Sequence, residues 1–193
     1  MTTNRLEAFS DGVIAIVITI MVLELKMPHG ADLAALRTVA PTFCAYVLSF
    51  VYLGIYWNNH HHMLHATDRV NGAILWANLH LLFWLSLVPA VTNWIGDTRN
   101  APLPTAVYGL VLVAAAVAYL ILQATIIADQ GRDSKLKAAV RRDVKGKTSI
   151  LLYIVAIPLA FVSPLLSDIV YVAVALIWLI PDRRIETAIR QEL

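Results

Sequence analysis

Charge is missing from four long stretches of this chain and nearly so from a fifth, and that constrains its fold more than any motif does. Gly12–Leu23 is uncharged, with Asp11 and Glu24 at its ends. A second uncharged stretch runs from Thr38 to Thr67, a third covers 70–95 and a fourth covers 106–128. The last, Thr148–Pro181, holds one charge, Asp168. A helix that crosses a bilayer needs about 20 mostly apolar residues; four of the stretches are long enough as they stand, and the first becomes so when extended to 9–25. Hydrophobic residues make up 59% of the 193 and charged residues 15%, where a soluble domain averages about 45–50% and about 25%. That balance excludes a disordered chain, a secreted disulfide scaffold and most soluble enzymes. The single cysteine, Cys44, cannot form an intrachain disulfide. The net charge of +2 is too small to argue for nucleic acid.

The fold class is therefore an all-α membrane protein, a single transmembrane domain over 1–193. The expected spans are 9–25, 38–57, 70–95, 106–128, 148–162 and 165–181. The last two come from dividing Thr148–Pro181, where Ser163-Pro164 and Ser167-Asp168 read as a tight turn. Charge placement supports the division. With six spans, twelve Lys and Arg lie on one side: Arg5, Arg69, seven in the basic loop 129–147, and Arg183, Arg184 and Arg190. Three lie on the other: Lys26, Arg37 and Arg99. Five spans would move the last three arginines across and blunt the asymmetry. Cytoplasmic loops carry the excess of basic residues, so both termini are expected in the cytoplasm. The 129–147 loop reads as a topology signal and a contact for anionic membrane lipids. The N-terminus lacks the basic region and small-residue site of a cleavable signal. Tyr56, Trp57, Trp76, Trp94 and Trp178 fall near the expected membrane borders, where aromatic residues concentrate.

The first span carries the strongest local pattern. Ser10 and Asp11 suit a helix entrance, where they would cap free N–H groups. At 100° per residue, Ile16, Thr19, Ile20 and Leu23 share one face, with Arg5 and Phe9 near the same azimuth. Asp11 and Ser10 lie well round the helix from it and should face neighbouring helices. Because this helix is apolar all round, phase alone leaves the stripe open as a lipid face, a packing face or a pore face.

In these residues the chain resembles a family: the bacterial relatives of the lysosomal potassium channel called transmembrane protein 175. The resemblance rests on R-x-x-x-F-S-D, present as Arg5, Phe9, Ser10 and Asp11, and on the run that follows to Pro28. It extends to Tyr56-Trp57-Asn58-Asn59-His60-His61, to Asn78-Leu79-His80-Leu81-Leu82-Phe83, and to Pro89 and Thr92. It implies six helices per subunit and a homotetramer whose first helices line a central pore. Carried over, Ile16, Ile20 and Leu23 match the apolar constriction, and Thr19 a hydroxyl position in the same pore. Such a ring of branched side chains closes by dewetting. The T-V-G-Y-G filter of other potassium channels is absent, so modest selectivity for K⁺ over other monovalent cations is expected. Arg5, Phe9, Ser10, Asp11, His60, His61 and Asn78 are expected to be structural, with Asp11 and Ser10 bonded to His60 or His61 and to Asn78.

The function expected is a potassium-permeable cation channel with a hydrophobic gate, needing no cofactor. Its partners are copies of itself, the permeant ion and membrane lipids. The alternative is a secondary transporter whose intramembrane site is built from Asn78, His80 and Asp168, although no internal repeat of the transporter kind is visible. No clustered nucleophile and base point to an enzyme. His61 and His65 are spaced i, i+4, as a zinc pair on a helix would be, but only Asp68 stands near them. No metal site is expected.

Overall fold

The computed structural model describes residues 3–28, 30–131, 136–137 and 143–179. Seven helices account for nearly all of these: α1 (Thr3–Leu23), α2 (Leu33–His65), α3 (Gly72–Ser86), α4 (Val88–Asp97), α5 (Pro102–Gln130), α6 (Val144–Val162) and α7 (Pro164–Leu179). Arg183, Arg184, Arg190, residues 180–181 of the last expected span and residues 132–135 and 138–142 of the 129–147 loop lie outside the described residues.

The helices run further than the apolar stretches, because hydropathy marks the buried middle of a helix and caps mark its ends. Asp32 accepts from the Ala35 N–H (2.7 Å) and opens α2. Asn71 does the same for α3 through Ile74 (2.9 Å), and Asp143 for α6 through Gly146 (2.8 Å). Each supplies an acceptor that the first helical turn lacks. Helix α2 continues through the polar cluster Asn58–His62 to His65, eight residues beyond Trp57, where the span was expected to close. Helix α1 begins at Thr3, which overturns the cap reading of Ser10 and Asp11: both sit in its body. The third expected span is two helices. Pro89 has no N–H and its ring crowds the preceding turn, so α3 stops at Ser86 and α4 starts at Val88.

The helices alternate in direction. Thr3 at the start of α1 reaches Thr67 beyond the end of α2. Asn71 and Arg69 reach Asp129 at the end of α5. Trp178 near the end of α7 donates to Ser149 near the start of α6 (2.8 Å). The opposite end of the bundle holds Lys26 paired with Asp97 (2.9 Å) and the α4–α5 turn. Taking α3 and α4 together, the described residues form six successive helical segments. Five are long and apolar enough to cross a membrane, and α7, at 16 residues, is shorter.

Helix α5 lies at the centre, packed on α3, α4, α6 and α7, with Ala115, Ala118, Leu122 and Ile126 fully buried. Polar groups in this core bond to one another, as burial requires. Tyr52 donates to the Tyr171 carbonyl (2.6 Å) and Tyr171 to the Thr105 carbonyl (3.0 Å). Ser49 bonds both Thr92 (2.7 Å) and Tyr108 (3.0 Å). Ser167 donates to the Ala156 carbonyl (2.6 Å) and ties α7 to α6.

Candidate functional site

Helix α1 packs on α2, α3 and α4 along one arc and leaves the other uncovered. The packed residues are Leu6, Ser10, Ile14, Val17 and Met21, recurring every three or four positions. Ile16 is 61% exposed, Ile20 42% and Leu23 77%. Thr19 is exposed between them, and Arg5, Phe9 and Gly12 continue the same face towards the N-terminal end. Thr19 donates its hydroxyl hydrogen to the Ala15 carbonyl (2.8 Å). What it turns outward is therefore oxygen lone pairs. The four stripe residues thus form an apolar face, interrupted at one level by a hydrogen-bond acceptor, that no other part of the described chain covers.

The packed arc is fixed at its N-terminal half by two sets of polar contacts. In the first, buried His60, Asn78 and Ser10 form a chain across three helices. His60 Nε2 meets Asn78 Oδ1 (2.7 Å), Asn78 Nδ2 donates to Ser10 Oγ (3.0 Å), and Ser10 Oγ donates to the Leu6 carbonyl (2.8 Å). With the Asn78 oxygen accepting, the hydrogen of neutral His60 belongs on Nε2. Its Nδ1 is buried without a partner. The second set lies nearer the surface. Trp57 Nε1 donates to Asp11 Oδ1 (3.0 Å), and His61 Nδ1 meets Glu7 Oε1 (2.6 Å). His61 is stacked between Trp57 and His65, with ring centroids 6.2 and 6.0 Å away.

This geometry corrects the expected partners. Ser10 does join Asn78 and, through it, His60. Asp11 bonds Trp57 and neither histidine, because its side chain leaves α1 on a different azimuth from Ser10. Glu7, one turn before Asp11, takes His61 instead. Arg5 is exposed and makes no ion pair with a described residue, and Phe9 is half exposed. Glu7 and Trp57 were not singled out from sequence as anchoring partners. The available signal was their matched spacing: Glu7 and Asp11 are four apart on α1, as Trp57 and His61 are on antiparallel α2.

The three residues of the transporter reading do not converge. Asn78 is consumed by Ser10 and His60. His80 accepts from Trp84 (2.9 Å) on an exposed face. Asp168 sits at the other end of the bundle, bonded to Asn100.

Comparison with known proteins decides the family. Residues 5–89 match the family model described as "Endosomal/lysosomal potassium channel TMEM175". A potassium channel of Chryseobacterium sp. strain P1-3 is 54% identical over 191 residues, covering 99% of this chain and 100% of that protein. The chain belongs to the TMEM175 family. The fold agrees: the crystal structure of a lysosomal potassium-selective channel TMEM175 homolog from Chamaesiphon minutus superposes with a TM-score of 0.82 at 28% identity, over 93% of this chain and 97% of that one. The endosomal/lysosomal proton channel TMEM175 of Gallus gallus is 39% identical over 115 residues, 52% of this chain but 23% of the longer vertebrate protein. The TMEM175 match spans α1 to the start of α4, so the exposed stripe and both anchoring sets fall inside it. These are families of multi-pass membrane channels, not of enzymes.

Proposed function

We propose that the chain is a potassium-permeable cation channel of the cell membrane, a homotetramer whose four α1 helices surround the ion path. The observation that carries this reading is the uncovered face of α1. Ile16, Thr19, Ile20 and Leu23 project from a helix otherwise docked on its own subunit, and four copies facing one axis would bury the stripe against water and ions. The names of the bacterial relatives, potassium channels, support the permeant species.

In that arrangement rings of Ile16, Ile20 and Leu23 make a narrow apolar neck that empties of water and blocks current. Widening the neck readmits water. The Thr19 ring then offers one oxygen acceptor per subunit, its lone pairs freed for the ion by the bond to Ala15. With so few ligands, discrimination rests on dehydration cost, and K⁺ loses water more readily than Na⁺. The polar chain Ser10–Asn78–His60 and the pairs at Glu7 and Asp11 hold the back of α1 so that its front keeps this phase.

Ile16→Asn and Leu23→Asn put polar atoms in the neck and should raise K⁺ conductance in planar bilayers. Cysteines at 16, 20 and 23, in a Cys44→Ser background, should crosslink between subunits and confer block by thiol reagents. Unchanged conductance together with no crosslinking would place the stripe against lipid and sink the pore assignment.

A further inference from the structure

A cavity of about 190 Å³ opens between α2, α4, α5 and α7, away from α1. Its walls include Pro41, Ala45 and Leu48 of α2 and Val172 of α7, and Asp168 lines it as a carboxylate. Asn100 is the one hydrogen-bonding partner of Asp168 among the described residues, through Oδ2. No ion pair with a described residue reaches it, and neighbouring Arg99 is exposed.

The carboxylate is held there deliberately. Arg99 and Asn100 both adopt left-handed backbone, with φ of 49° and 64°, which is uncommon outside glycine and most tolerated by asparagine among the rest. Thr105 donates to Asn100 Oδ1 (2.8 Å), which turns the amide nitrogen to Asp168. A half-buried carboxylate facing an apolar hollow is short of hydration unless a counter-charge answers it, and an amide dipole does not neutralise it. The walls are too apolar for a bare metal ion, which wants a shell of several oxygens. A single acid in an apolar hollow suits a cation that brings its own apolar body.

We propose that this cavity binds an organic ammonium, its nitrogen on Asp168 and its hydrocarbon part against Pro41, Ala45, Leu48 and Val172. Asp168 lies at the end of the bundle that holds Lys26 and Asp97, near the level of lipid headgroups in a spanning bundle. Both a free alkylamine and a lipid amine headgroup can reach it.

Cys44 reads the occupancy. It is the only cysteine in the chain, it lines the cavity and it is exposed. In detergent-solubilised full-length protein, n-hexylammonium should slow labelling of Cys44 by an uncharged maleimide several-fold, while n-hexanol leaves the rate unchanged. Asp168→Asn should abolish the protection. Ala45→Phe, which fills the hollow and keeps the carboxylate, should abolish it too, so the proposal does not depend on the folding of one variant. Phosphatidylethanolamine in place of the amine protects if the natural source is lipid and fails to if it is a free amine. Equal protection by hexanol, protection surviving in Asp168→Asn, or a Cys44 that does not react without ligand each overturns the site.

Discussion

Asn78 uses both ends of its amide in a place shut off from solvent. Its oxygen faces His60 and its nitrogen donates to Ser10, and all three residues are fully buried. Asn78→Leu keeps the branched shape and removes both bonds. His60 Nε2 then joins Nδ1 as a second buried nitrogen without a partner, and leaving such a group unsatisfied costs about 1–3 kcal/mol. Ser10→Ala should cost less: it leaves one Asn78 N–H without its acceptor but keeps the His60–Asn78 bond. Thermal unfolding in detergent should therefore rank Asn78→Leu below Ser10→Ala and both below the parent protein; the reverse order would mean the chain of bonds is not what holds α1. Ser10, His60 and Asn78 were recognisable in the sequence as polar residues gathered towards one end of the first three spans. The partner of Asp11 was not. Which side chain on α2 meets it depends on the rotation of two helices about their axes, and hydropathy does not encode that rotation when both helices are apolar nearly all round.

Between elements, close approach is set by glycines and broken by prolines. A Cβ at Gly109 on α5 would lie 2.2 Å from the Tyr171 hydroxyl of α7, and Tyr171 is pinned by its bond to the Thr105 carbonyl. Gly109→Ala therefore forces α7 away from α5, and overpacking of this kind costs about 1–3 kcal/mol. Tyr171→Phe removes the clashing oxygen together with its hydrogen bond. The double variant should thus be more stable than the sum of the two single losses predicts, in equilibrium unfolding of the purified protein. Simple additivity would show that the two positions do not touch. The existence of the helices was legible, because an uncharged run in this chain has few other ways to satisfy its backbone. Their ends were not. Asp32, Asn71 and Asp143 extend helices past the apolar limits, and the α3–α4 break at Pro89 becomes certain only once Leu87 and its neighbours are seen to leave the helical ladder.

At the scale of the molecule, the alternating helices put Thr3 and Thr67 at one end and Lys26, Asp97 and the α4–α5 turn at the other. The sequence assigns its heavy load of basic residues to the first end, and basic loops stay in the cytoplasm. The two facts together predict an orientation: the Arg99–Asn100 turn outward, the Thr67–Arg69 turn inward. In a Cys44→Ser background, a cysteine at Thr98 should react with a membrane-impermeant maleimide on intact cells, and one at Asp68 only after permeabilisation. The reverse pattern would invert the channel and place Glu7, His61 and the rest of the anchor outside. The orientation also matters for α1. Its C-terminal end is tethered through the segment carrying Lys26, and its N-terminal half is locked by Ser10, Asp11 and Glu7, so both ends are held by the same subunit. The stretch between presents Ile16, Thr19 and Ile20 with nothing from its own chain in front of them. This contrast, a helix docked behind and bare in front, is what the proposed pore rests on, and the crosslinking of positions 16, 20 and 23 tests it.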